Sequence, residues 1–208
     1  MGSKAVGKSS LIDTQVIFSN NYLYSFINGK TKLVETSTQG VDNVFRIYRL
    51  SDGSIVHVKI HDTAGQEVYK SFTLTYYRKA DACLLVYDIT NVNSYNECKN
   101  YYTKNIKEKC KKNIKVILLG NKTDLENDRK VASEEAASFA NQNDYNYLET
   151  SCLKNSNVAD AFETLIELTN LELKKNGDDN YDYTDKGGKS MRLEKGKQKD
   201  EESSGCPC

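Results

Sequence analysis

Residues Gly2 to Ser9, Gly-Ser-Lys-Ala-Val-Gly-Lys-Ser, fit the pattern G-x-x-x-x-G-K-[ST], and no other stretch restricts the fold as severely. Such a loop works because successive backbone N–H groups point at anionic oxygens while the helix behind it presents its positive end. It therefore joins a strand to a helix, and its ligand carries phosphate. Lys8 supplies a cation and Ser9 a hydroxyl suited to Mg²⁺, while Ser3, Lys4, Ala5, Val6, Gly7 and Ser10 complete the cradle. Only Met1 stands before the loop, so the strand that should lead into it is expected to be missing.

Downstream, short apolar runs alternate with helical patterns. The segments 43–50 (NVFRIYRL) and 54–61 (SIVHVKIH) flank Ser51-Asp52-Gly53, and Asp-Gly between alternating flanks predicts an antiparallel hairpin. The runs 82–89, 113–120 and 145–149 are separated by helical segments, which predicts right-handed crossovers in a parallel sheet. The fold class is α/β. Residues 157–175 place Val158, Phe162, Leu165 and Thr169 on one helical face, with Asn157 as the expected N-cap. From Asn176 onward apolar residues are too few to offset the entropy of ordering, so 1–175 reads as the folded domain and 176–208 as a disordered tail.

Composition narrows the partners. Charges balance at 29 basic against 29 acidic residues, unlike the basic footprint of a nucleic-acid binder, so no nucleic acid is expected. The six cysteines lack the paired spacing of a zinc site or a secreted disulfide framework, which predicts a reduced, cytosolic compartment. No run approaches the roughly 18 apolar residues of a membrane span.

Two further stretches carry chemistry. Asp62-Thr63-Ala64-Gly65-Gln66-Glu67 follows an apolar strand: Asp62 can serve the Mg²⁺ shell, the Gly65 amide can approach a γ-phosphate without a Cβ in the way, and Gln66 can orient an attacking water. Asn121-Lys122-Thr123-Asp124 also follows an apolar strand, where ligands of open α/β sheets bind. A carboxylate there accepts two hydrogen bonds from guanine N1–H and its exocyclic amine, whereas adenine leaves it unpaired, so Asp124 specifies the base. Glu149-Thr150-Ser151-Cys152 closes the last strand, with Leu153 next to it, and the Cys152 amide can donate to guanine O6.

These motifs, the segment 75–90 (TYYRKADACLLVYDIT), Thr38-Gln39-Gly40-Val41-Asp42 and the terminal Cys206-Pro207-Cys208 resemble the Rab family of small GTPases in order and spacing. The resemblance implies a P-loop fold with a six-stranded, mostly parallel sheet flanked by helices, its first strand missing from this chain. It implies that Thr38 ligates Mg²⁺ beside Ser9 and Asp62, that residues 62–78 form switch II, and that GTP and GDP hold and release the switches. Hydrolysis is expected to be slow without a GAP. The implied partners are a GEF, a GAP, a GDP-dissociation inhibitor, a geranylgeranyl transferase with its escort protein, and effectors that read the switches. Between Lys186 and Lys199 six basic residues stand against Glu194 alone, and Cys206 and Cys208 resemble a doubly prenylated tether. The implied location is the cytoplasmic face of an intracellular membrane, with cycling through the cytosol.

The sequence also departs from the family. Lys4 occupies a position where a small residue is usual, Asn43 and His61 replace the Phe and Trp of an effector-reading cluster, and Leu153 replaces a lysine beside the base. The segment between Lys8 and Thr38 is about eleven residues longer than expected, with the excess near 13–23. A lost central strand forfeits some 8–15 kcal/mol at roughly 1.5–3 kcal/mol for each of about five buried side chains. An incomplete gene model is the simplest expectation. A truncated or pseudo-GTPase scaffold and an ATP-using P-loop kinase are the rival readings, and Asp124 argues against the second.

Overall fold

A computed structural model of the chain describes residues 1–19, 41–63 and 77–176. Helix α1 (Lys8–Ser19) leaves the phosphate loop directly, with Leu11 N–H donating to Gly7 O at 2.9 Å as its first turn closes. Strands β1 (Val41–Arg49) and β2 (Ile55–Thr63) pair antiparallel, with Arg49 opposite Ile55 and Val41 opposite Thr63. Asp52 holds the turn, accepting from the Ser54 amide at 2.9 Å, and Gly53 takes the positive φ the reversal needs.

Strand β3 (Ala82–Asp88) leads to α2 (Val92–Glu97), a π-helical turn (Cys98–Tyr102) and α3 (Thr103–Lys109). Asn91 caps α2, its side chain accepting from the amides of Asn93 and Ser94. Strand β4 (Lys115–Asn121), a 3₁₀ segment (Thr123–Asp128), α4 (Ser133–Gln142), β5 (Asn146–Thr150) and α5 (Val158–Lys175) complete the described fold. β3, β4 and β5 pair in parallel order, as alternating apolar runs and helices predict.

The parallel strands are buried on both faces. Cys83, Leu85 and Tyr87 of β3 and Val116 and Leu118 of β4 pack beneath Tyr95, Tyr102, Ile106, Ala136 and Ala140. Val86, Ile117 and Leu119 face the opposite layer, built by Leu11 of α1, Val158, Phe162 and Leu165 of α5, and Tyr48 of the hairpin. Leu85, Ile117, Leu118 and Leu119 are wholly buried, and each contributes about 1.5–3 kcal/mol on leaving water.

Among the described residues the strands form two sheets, β1-β2 and β3-β4-β5, and no strand lies between β2 and β3. The Met1 main chain lies along β3: its carbonyl accepts from Val86 N–H at 2.8 Å and its amino group donates to Leu84 O. The two sheets meet through the layer of α1 and α5 rather than through a shared ladder. Asn157 corrects one expectation. It stands before α5 with φ 57°, its side chain caps no helix amide, and its Nδ2 donates back to Glu149 O at 2.9 Å. The left-handed backbone there turns the side chain toward the end of β5. Thr38, Gly65, Gln66, Cys206 and Cys208 and most of the long segment after Lys8 lie outside the described residues.

Candidate functional site

Register alone assembles the site. Asp88 pairs with Asn121 and Asn121 with Thr150, so the three parallel strands end at one edge. The phosphate loop crosses that edge, bending at Gly2 (φ 142°) and Gly7 (φ 91°). A Cβ on Gly2 would sit 2.1 Å from Val86 O, and one on Gly7 would sit 2.4 Å from Asn121 Nδ2. Both positions take glycine because the loop runs against the sheet end there.

Asn121 binds the two motif loops together. It is buried, its Nδ2 donates to Val6 O at 2.9 Å, and its Oδ1 accepts from Thr150 Oγ1 at 3.1 Å. Beside it Asp124 Oδ1 accepts from Ser151 Oγ at 2.6 Å, which fixes the carboxylate, while Ser151 Oγ also accepts from Lys154 N–H at 3.0 Å. Lys122 adopts φ 72°, and its Nζ lies 2.8 Å from Asp88 Oδ2. Cys152 is half-buried, and Leu153 is 67% exposed, so its side chain adds little to a base site.

At the other end of the loop Lys8 Nζ donates to Ser3 O at 2.7 Å, and Ser9 Oγ donates to buried Asp62 Oδ2 at 2.5 Å. Lys4 and Ala5 are exposed, Val6 is buried, and Ser10 receives the Thr14 hydroxyl on its carbonyl at 2.6 Å. Burial lowers the Lys8 amine to about 8, although the charges of Asp62, Cys98 and Glu97 pull it up. A bound phosphate draws the proton back. Nucleotide binding should thus take up a proton above about pH 8, and affinity should fall as pH rises through that value. Calorimetric titration of GDP in buffers of different ionisation enthalpy reads this directly, and binding without proton uptake at alkaline pH would refute it.

Several supporting residues escaped the sequence reading. Asp88 accepts from the Thr90 amide and hydroxyl as well as from Lys122; burial raises its carboxyl, and these donors more than offset that, leaving it below the usual range. Its position at the end of an apolar strand, like that of Asp62, was the available signal. Ser3 Oγ donates to Glu97 at 2.8 Å and Tyr102 OH to Gly2 O at 3.0 Å, contacts across about a hundred residues that leave no local trace. Arg129 grips both oxygens of Glu149 at 2.8 Å and so braces the strand that delivers Thr150 and Ser151. Asn43 and His61, the two departures from the effector-reading cluster, are register partners on the hairpin. Burial, then Lys59, holds the His61 imidazole below its ordinary value.

A phosphate loop laid across the carboxyl edge of a parallel sheet, with an Asn-Lys-x-Asp loop hydrogen-bonded to it, defines a P-loop nucleotide-binding protein. The Ras family sequence profile matches residues 1–170. GTP-binding protein ypt3 of Schizosaccharomyces pombe (strain 972 / ATCC 24843) is 38% identical over 159 residues, covering 76% of this chain and 73% of that protein. Ras-related protein Rab-4A of Homo sapiens is 41% identical over 162 residues (78% and 68%), and Ras-related protein Rab-4B of Homo sapiens is 41% identical over 162 residues (78% and 70%). The chain belongs to the Ras family of small GTPases, within its Rab group, and it binds guanine nucleotide and hydrolyses GTP. Neither the scaffold nor the kinase reading finds support in these relatives.

Proposed function

We propose that this chain is a membrane-traffic switch whose GTP-bound form is read by effectors at the cytoplasmic face of an intracellular membrane. The observation that carries the reading is the bond from Asn121 Nδ2 to Val6 O, which couples the base-reading loop to the phosphate loop. Lys8 and the loop amides hold the phosphates, and Asn121, Lys122, Asp124, Ser151 and Cys152 form the guanine pocket. The Ser9 hydroxyl and Asp62 carboxylate, joined at 2.5 Å, are hard oxygen donors of the kind Mg²⁺ takes, so they fit that ion, with Thr38 as the third protein ligand. When bound, the ion neutralises charge on the phosphates. Gln66 orients the attacking water, and a GAP supplies the remaining charge.

The other partners are a GEF, a GDP-dissociation inhibitor, and a geranylgeranyl transferase with its escort protein acting on Cys206 and Cys208. No helix among the described residues is long and apolar enough to cross a membrane, which is compatible with a lipid tether. Single-turnover hydrolysis tests the switch. Gln66→Leu should slow GAP-stimulated turnover by roughly 10²-fold or more with GTP binding intact. An unchanged rate would remove Gln66 from the chemistry.

A further inference from the structure

We propose that the end of the domain opposite the nucleotide site is a second, electrostatic contact with an anionic lipid surface. This rests on the tether reading above. Residues 107–115 contain five lysines and one acidic residue, Glu108, although the chain as a whole is neutral. Lys99, on the preceding π-helical turn, is instead paired with Glu135, and Lys104 with Glu108. Their place in the fold gives that run its meaning. Lys115 opens β4 in register with Ala82, whereas the nucleotide edge lies at Asp88 and Asn121, roughly 20 Å away along the strands. Helix α5 starts at the nucleotide edge and runs back for 18 residues, and the Lys115–Glu172 ion pair at 2.9 Å brings its end to the same place. The sequence then continues from Asn176 through 177–185, which carry four aspartates, into the basic run 186–199, the acidic residues 200–202 and the terminal cysteines. A tether on Cys206 and Cys208 therefore starts from the face where these lysines collect.

Lysines in the last turn of a helix answer its dipole, and that accounts for Lys107 and Lys109 on α3 and Lys175 on α5. It does not account for Lys111 and Lys112, which lie beyond α3 in the loop before β4. Lys111 is paired with Asp81 and Lys115 with Glu172. Lys107, Lys112 and Lys175 are exposed, and none is within ion-pair distance of a carboxylate among the described residues, although, behind the Lys115 hydrogen bond, the charge of Lys175 helps lower the Glu172 carboxyl. Exposed ammonium groups gathered where a tether starts meet the negative surface of a leaflet within a Debye length once the tether holds them there. The nucleotide edge then points away from the bilayer, toward regulators in solution.

The test uses the full chain with bound GDP and without lipid on Cys206 or Cys208, in flotation with vesicles of phosphatidylcholine alone or mixed with phosphatidylserine. The six basic residues of 186–199 are changed to glutamine first, so that the domain alone is read. This protein should partition onto phosphatidylserine vesicles roughly tenfold or more above neutral ones. Adding Lys107→Gln, Lys112→Gln and Lys175→Gln should abolish the difference, and arginine at the same three positions should restore it. Equal partition onto both vesicle types, or partition unchanged by the glutamine substitutions, overturns the proposal. Tighter capture by single-stranded RNA than by the anionic vesicles overturns the lipid assignment. The tether is read separately, as prenyl transfer to Cys206 and Cys208 by geranylgeranyl transferase and its escort protein. Its failure would leave the vesicle result standing on its own.

Discussion

Asp124→Asn should lose GTP affinity by on the order of 10²-fold and gain affinity for xanthosine triphosphate. In the proposed site the carboxylate would accept from guanine N1–H and the exocyclic amine, and its Oδ1 takes the Ser151 hydroxyl at 2.6 Å. An asparagine keeps an oxygen for Ser151 and for N1–H but turns an amide N–H toward C2. Guanine carries a donor there and is rejected; xanthine carries a carbonyl and is accepted. Because Ser151 fixes the rotamer, Ser151→Ala should weaken binding of both bases without exchanging their order. Competition titrations with the two triphosphates measure the switch, and a variant that still prefers GTP would show that Asp124 does not read the base.

Gly7→Ala is expected to damage the phosphate and base loops together. At φ 91° an L side chain is strained, and its Cβ would stand 2.4 Å from Asn121 Nδ2. A flexible side chain could step aside at small cost, but Asn121 is buried and held by Val6 O and Thr150 Oγ1, so moving it breaks both bonds. Strain with the lost bonds amounts to about 2–4 kcal/mol. That corresponds to a melting point lower by roughly 4–16 °C for a domain of this size. Nucleotide affinity should fall with it, as the loop amides leave their aim. An alanine variant with unchanged melting and unchanged GDP affinity would refute the coupling between the loops.

Legibility followed the range of the interactions. The phosphate loop, the hairpin around Asp52-Gly53, the three parallel strands and α5 were readable because each depends on backbone requirements or apolar periodicity within a few residues. Lys8, Ser9, Asp62, Asn121 and Asp124 were singled out by residue type next to a strand end, and the structure bonds Ser9 to Asp62 and Asn121 to Val6 of the phosphate loop. Asn157 misled because N-cap preference describes an average backbone, whereas the left-handed turn here sends its side chain to Glu149. By itself the sequence determined the class of ligand and the order of the elements, since short-range sterics and hydrophobic patterning suffice for both. Only the tertiary structure decided that Asn121 reaches Val6 across 115 residues, that Glu97 and Tyr102 brace the first turn of the loop, and that Lys115 at the start of β4 meets Glu172 near the end of α5. Those contacts join segments far apart in the chain, and their geometry exists only once the sheet's register has set where each strand begins and ends.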